Sequence, residues 1–123
     1  MTGRFLSELR VREVDGEQWQ LLTDLRYQDE DGTIDIAPAG FVTDFASVPR
    51  GFWNLYPKSG KHSRAAVIHD HLCVTKPIDS ASVHAVFKRA LKACGVNWFN
   101  RQIMYGMVRA FGPRFKAQPA VTS

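Results

Sequence analysis

At 123 residues, with 45% hydrophobic and 11% aromatic residues, the chain is sized for one domain with its own core and is too apolar for intrinsic disorder. No run approaches the roughly 20 apolar residues of a membrane span, and the N-terminal MTGRFLSELRVREV lacks the unbroken apolar stretch of a secretion signal. The net charge of +4 is divided: residues 1–60 carry 6 Lys/Arg against 10 Asp/Glu, residues 61–123 carry 10 against 2.

The N-terminal third reads as strands. RFLSELRVREV (4–14) and EQWQLLTDLRYQ (17–28) flank Asp15-Gly16, a hairpin signal. A second turn, DEDG ending at Gly32, leads into TIDIAPAGFVTDF, where Pro38 calls for a sheet edge or a bulge. Residues 1–46 are thus expected to form a small antiparallel sheet of three or four strands.

Residues 47–60 connect this sheet to a helical half. Ser47 before Val48-Pro49 has the form of an N-cap with proline in the first turn, opening a short helical turn through Trp53. Phe52, Trp53 and Tyr56 would then fold over the sheet as an apolar lid. Three helices follow. The first spans roughly 62–74 and closes near Pro77; the second spans about 80–94, capped by Asp79 and ended by Gly95; the third spans about 98–111, capped by Asn97 and stopped by Gly112-Pro113. Trp98, Met104, Met107, Val108 and Phe111 recur at helical spacing and read as core. The tail 113–123 reads as frayed. The fold expected is α+β, a small N-terminal antiparallel sheet packed with three C-terminal helices in a single domain.

Cys73 and Cys94 lack CxxC spacing and read as reduced core thiols of a cytosolic protein. The basic half could serve nucleic acid, another phosphate-bearing polymer or an acidic partner, or its charges could simply be solvated helix faces. No basic cluster is read as interleaved with aromatics in the way single-strand binders require.

AAVIHDHLCV (65–74) poses the functional question, since an apolar helix carries His69-Asp70-His71 at its middle. On a helical wheel Ala65, Ile68 and Leu72 face inward with His69, and Asp70 lies about 100° further round. In the second helix Val83, Phe87, Ala90, Leu91 and Cys94 form the buried stripe, with His84 inside it. Helices joined by a short link pack antiparallel, so His69, Asp70 and His84 are expected to meet at one interface, with Asp44 from the strand end nearby. Burying such groups without partners costs several kcal/mol. Two solutions remain open. In one, Asp44, His69 and Asp70 are catalytic, and His69, Asp70 and His84, with Asp44, offer an oxygen/nitrogen ligand set for zinc, manganese or iron. In the other, Asp44 and Ser47 build an Asx-type turn plus a cap, Asp70 accepts loop amides, and His69 donates to a carbonyl. His62 and His71 are expected to be exposed. His62 is too close to the dyad for the HD phosphohydrolase pattern, and no GxSxG, HExxH or Walker-type loop occurs. Nothing suggests an oxyanion hole for Ser47 as a nucleophile.

GFVTDFASVPRGFW, AAVIHDHLC and VFKRALKACGV…RQIMYGMVRAFG together resemble a family of small proteins encoded in tailed phages and prophages, a domain of unknown function. The resemblance runs from about Gly40 to Gly112, and Thr43, Asp44, Ser47, Pro49, Arg50, His69 and Asp70 occupy its pattern. It implies a phage-derived gene expressed in a bacterial host. Family members often carry an acidic residue about where His84 stands, a departure that suits a metal ligand but puts an acidic catalytic role there in doubt.

Two classes of function follow. One is a non-enzymatic virion, tail-associated or host-directed protein, with Ser47, Arg50 and Trp53 on its contact surface and a phage structural or host protein as partner. The other is a small hydrolase, with or without a divalent metal, in which His69 and Asp70 activate water against cell-wall or nucleic-acid substrates. Either works in the host cytoplasm, and the first could travel in the virion.

Overall fold

A computed structural model describes residues 2–15, 18–43 and 62–111. The lid and helical turn expected over 47–60, and the tail 113–123, lie outside the described residues. The architecture is α+β, as the sequence pattern implies. Six strands, β1 (Arg4–Phe5), β2 (Val11–Asp15), β3 (Gln18–Leu21), β4 (Leu25–Gln28), β5 (Ile34–Ala37) and β6 (Val42–Thr43), precede three helices, α1 (Ser63–Thr75), α2 (Ser80–Ala93) and α3 (Trp98–Phe111). No helix among the described residues is long and apolar enough to cross a membrane.

The strands form two three-stranded antiparallel sheets, ordered β1-β4-β5 and β2-β3-β6. Each of the two long segments read as a strand therefore breaks at its middle and serves both sheets. Polar side chains make the break tolerable by replacing ladder bonds. Ser7 Oγ donates to the Asp24 carbonyl (3.2 Å) and accepts the Arg26 amide (2.9 Å), while Asp24 Oδ1 accepts the Ala39 amide at 2.8 Å. The turn chemistry is as expected. β2 pairs β3 with Asp15 opposite Gln18 and a bulge between Glu13 and Asp15. Gly32, at φ +90°, closes the β4–β5 turn by donating to the Asp29 carbonyl at 3.0 Å. Pro38 follows β5, which lies at a sheet edge.

The helix ends obey the sequence signals closely. Asp79 Oδ1 accepts the Ser82 amide and Asn97 Oδ1 accepts the Asn100 amide, each at 2.8 Å. Gly95, at φ +83°, follows the end of α2.

Helix α1 packs on β4 and β5 of one sheet, on β6 of the other, and on α2. Ala65, Ala66, Val67 and Ile68 are consecutive and all fully buried, so this helix is enclosed on every side there. Val83, Phe87, Ala90 and Leu91 supply the facing side of α2, each large side chain contributing about 1.5–3 kcal/mol by leaving water. Helix α3 packs chiefly on α2, which corrects one expectation. Met104 and Val108 are buried, but Trp98 is 64% exposed, since among the described residues α3 is supported chiefly by α2. Both cysteines are free thiols; Cys94 is buried and Cys73 half-buried.

A second tie crosses from the sheet to α2. The buried Asp29 carboxylate receives Arg89 through Nε (3.0 and 3.2 Å) and Nη2 (2.9 Å), and the Tyr27 hydroxyl donates to it at 3.0 Å. Burial alone would raise the Asp29 carboxyl, but the Arg89, Glu30-amide and Tyr27 hydrogen bonds prevail and hold it below the usual value. Burial, then the neighbouring Asp29 charge, raises the Tyr27 phenol.

Replacing Arg89 with Met should destabilise the fold by about 2 kcal/mol, because it leaves a buried carboxylate without its cation; urea unfolding checks this. The same site carries a pH signature. The folded Asp29 binds its proton less readily than the unfolded chain does. Its contribution is therefore complete above the ordinary value of 3.8 and lost as pH falls through the lower folded value. Arg89→Met should weaken that acid-limb loss in a series of melting curves.

Candidate functional site

Helix α1 is enclosed on every side over residues 65–68, so the buried polar residues that follow at once must find partners inside the protein. His69 and Asp70 are consecutive and diverge by about 100°. His69 is 1% exposed and turns toward α2, where His84, 4% exposed, meets it. His69 Nε2 and His84 Nδ1 lie 3.0 Å apart, and the rings sit nearly parallel with centroids 5.1 Å apart. The Phe87 ring, also 5.1 Å from His69, closes the apolar side. Asp70 turns instead toward β6, where the Thr43 hydroxyl donates to its Oδ2. Its Oδ1 stands 3.8 Å from His69 Nδ1, outside hydrogen-bond range, so the carboxylate acts on the imidazole through its charge. Cys73, one turn along α1, places Sγ 3.8 Å from both nitrogens of His69.

The fold thus brings His69, Asp70 and His84 together, as their helical faces imply, in a line rather than around a point. Asp70 lies on the Nδ1 side of His69 and His84 on the Nε2 side, so the three do not converge on a common centre. Among the described residues, no group of three or more His, Cys, Asp or Glu side chains is arranged to hold a metal ion. His69 Nε2 and His84 Nδ1 could supply two nitrogen donors, and the described residues add no third on that side. Asp44, Ser47, Arg50 and Trp53 lie outside the described residues.

The linear order has its own chemistry. If His69 donates from Nε2 to His84 Nδ1, its Nδ1 is basic and faces Asp70. If His84 donates from Nδ1 instead, His69 carries its proton on Nδ1 beside the carboxylate. Interconversion between the two tautomers shifts the ring protons along the His69–His84 line.

Two histidines depart from expectation. His62, expected at the surface, is 4% exposed; it sits immediately before the enclosed helix α1, and burial lowers its pKa to about 4. His71 is half-buried, edge-on to Phe41 with centroids 5.1 Å apart, and burial lowers its pKa as well. Sequence reasoning named Thr43 only as a pattern position and Cys73 only as a core thiol. The i, i+4 spacing of His69 and Cys73 was the available signal for the second; Thr43 needed the β6 placement.

The two histidines predict different outcomes. His84→Ala leaves His69 Nε2 buried without its partner and should cost about 1–3 kcal/mol, whereas His84→Asp supplies an acceptor that holds the proton on Nε2. Nitrogen NMR shifts of the His69 ring should report that single tautomer. For His62, the unfolded chain takes up a proton at the ordinary value of 6.5 and the folded chain only near 4. Its stability contribution is therefore complete above 6.5 and lost between 6.5 and 4, by about 3 kcal/mol; His62→Gln should flatten the stability profile in that window.

With this geometry in view, the chain belongs to the family described as "Protein of unknown function (DUF1353)", whose model matches residues 19–108. It is also similar to the "Uncharacterized protein y4jT" of Sinorhizobium fredii (strain NBRC 101917 / NGR234), at 31% identity over 107 residues. That match takes in 85% of this chain and 32% of the relative, so the chain spans about a third of the relative's length. No solved structure matches.

Proposed function

We propose that this member of the family is a small hydrolase in which His69 is the general base. The reading rests on one observation. His69 is held by His84 at Nε2, 3.0 Å away, while its other nitrogen faces the Asp70 carboxylate, which Thr43 orients in turn. A base oriented by a further group, and that group fixed by another element, is the arrangement water activation requires. In the step proposed, water at Nδ1 attacks an electrophilic carbon or phosphorus and gives its proton to Nδ1. The Nε2–H bond to His84 and the Asp70 charge stabilise the imidazolium that forms. The proton then goes to the leaving group. Phage or prophage origin, which the sequence resemblance supports, makes cell-wall and nucleic-acid polymers the substrates to try. A divalent metal held by the two nitrogen donors of His69 and His84 is the metal-dependent form of the same proposal.

A second reading has its own observation. His69 and His84 are almost closed to solvent, at 1% and 4%, which suits a polar tie in a protein that works only by contact, as a virion, tail or host-directed component.

The purified protein should release product from peptidoglycan, single-stranded nucleic acid or a simple ester panel. His69→Ala should lose about 10²-fold or more of that rate, and Asp70→Asn should lower it while circular dichroism stays native. Elemental analysis and melting curves with and without chelator separate the metal-dependent form from the metal-free one. No turnover of any of these substrates, with or without added zinc, manganese or iron, would leave the contact reading in its place.

A further inference from the structure

Helix α3 carries Trp98, Arg101, Tyr105 and Arg109 at intervals of three, four and four residues, so aromatic and basic side chains alternate along one stripe. Packing against α2 adds Lys88 and Lys92 to it. Lys88, Lys92, Trp98 and Arg101, with Arg89 and Gln102, line a groove of about 230 Å³. The Lys88 ammonium lies 5.1 Å and the Arg109 guanidinium 5.8 Å from the Tyr105 ring centroid. Arg89 is occupied by Asp29, but Arg101 Nε is shielded from solvent and has no acceptor among the described residues. Residues 80–111 include five Lys/Arg (88, 89, 92, 101 and 109) and no Asp or Glu. Neighbouring Phe99 is 65% exposed beside Trp98 at 64%.

We propose that this α2–α3 face binds single-stranded nucleic acid, with bases stacked on Trp98 and Tyr105 and phosphates held by Lys88, Lys92, Arg101 and Arg109. The charge alone fits any polyanion. The alternation selects the single strand, because aromatic platforms about 10 Å apart along the helix reward unpaired bases, and a duplex presents none. Trp98, Arg101, Tyr105 and Arg109 already alternate along α3, which corrects the expectation that no basic cluster is interleaved with aromatics, and packing against α2 brings Lys88 and Lys92 to the same face. The inference is independent of hydrolysis at His69: the face is a binding surface whether or not the protein turns anything over.

The test is fluorescence anisotropy with a labelled oligo-dT, and with an oligo-U of equal length, over a salt series. Four phosphate contacts predict a slope of log affinity on log salt near −3. Trp98→Ala should weaken binding about tenfold or more. Lys92→Glu should weaken it and flatten the slope. His69→Ala should leave the affinity unchanged even where it removes hydrolysis. Trp98 and Lys92 lie at the surface, and circular dichroism confirms that each variant folds. The proposal is overturned by an absence of binding at low salt, by unchanged affinity in Trp98→Ala, or by equal affinity for a duplex. Displacement of the oligonucleotide by polyglutamate at matched charge would equally overturn it, in favour of an acidic protein partner.

Discussion

The fold depends on how polar side chains are satisfied around one enclosed helix. Helix α1 meets both sheets and α2, so each polar group buried on it must find a protein partner after folding. His84 from α2 answers His69, and Thr43 from β6 answers Asp70. The partners come from opposite sides of α1. Satisfying the two residues therefore fixes α1 between the second sheet and α2, where apolar contact alone would tolerate sliding and rotation.

A separate network does similar work at the other sheet. Asp29, at the end of β4, joins Tyr27 beneath it to Arg89 on α2. One network runs through Thr43 and Asp70, the other through Asp29, so each sheet has its own polar connection to the helices. This division suits strands of two to five residues, which are too short for ladder bonds alone to fix their placement. Gly3 shows how tight the packing is near Tyr27: a Cβ there would come within 2.5 Å of the tyrosine oxygen.

Much of this was legible before any coordinates. Asp79, Asn97 and Gly95 mark helix ends because capping and left-handed termination are local chemistry. The helical wheel brought His69 to His84 because both lie on apolar stripes, and stripes of adjacent helices meet. Long-range events were less legible. Nothing local says that Leu6–Arg10 and Leu22–Asp24 turn a corner between two sheets; that depends on Ser7 bonding backbone 17 and 19 residues away in sequence but adjacent in space. Trp98 looked like core because its spacing matches Met104 and Val108, but spacing cannot show that the first turn of α3 overhangs its support. His62 looked exposed beside Lys61 and Ser63, and its burial follows from the enclosure of the helix it precedes. At the candidate site, the residue types were readable, while their order in a line needed the direction in which each side chain leaves α1.

The enclosure of α1 bears on how such a protein can evolve. Ala65 to Ile68, in the turn before His69, are fully buried. In many proteins reactive groups sit on peripheral loops that can drift while the scaffold stays constant. Here the scaffold and the candidate site's imidazole share a single turn of chain. Amino-acid replacements that retune the imidazole must also preserve the deepest packing, so lineages have little room to trade one property against the other. New specificities would arise more readily on the outer helix, where changes leave the interior untouched.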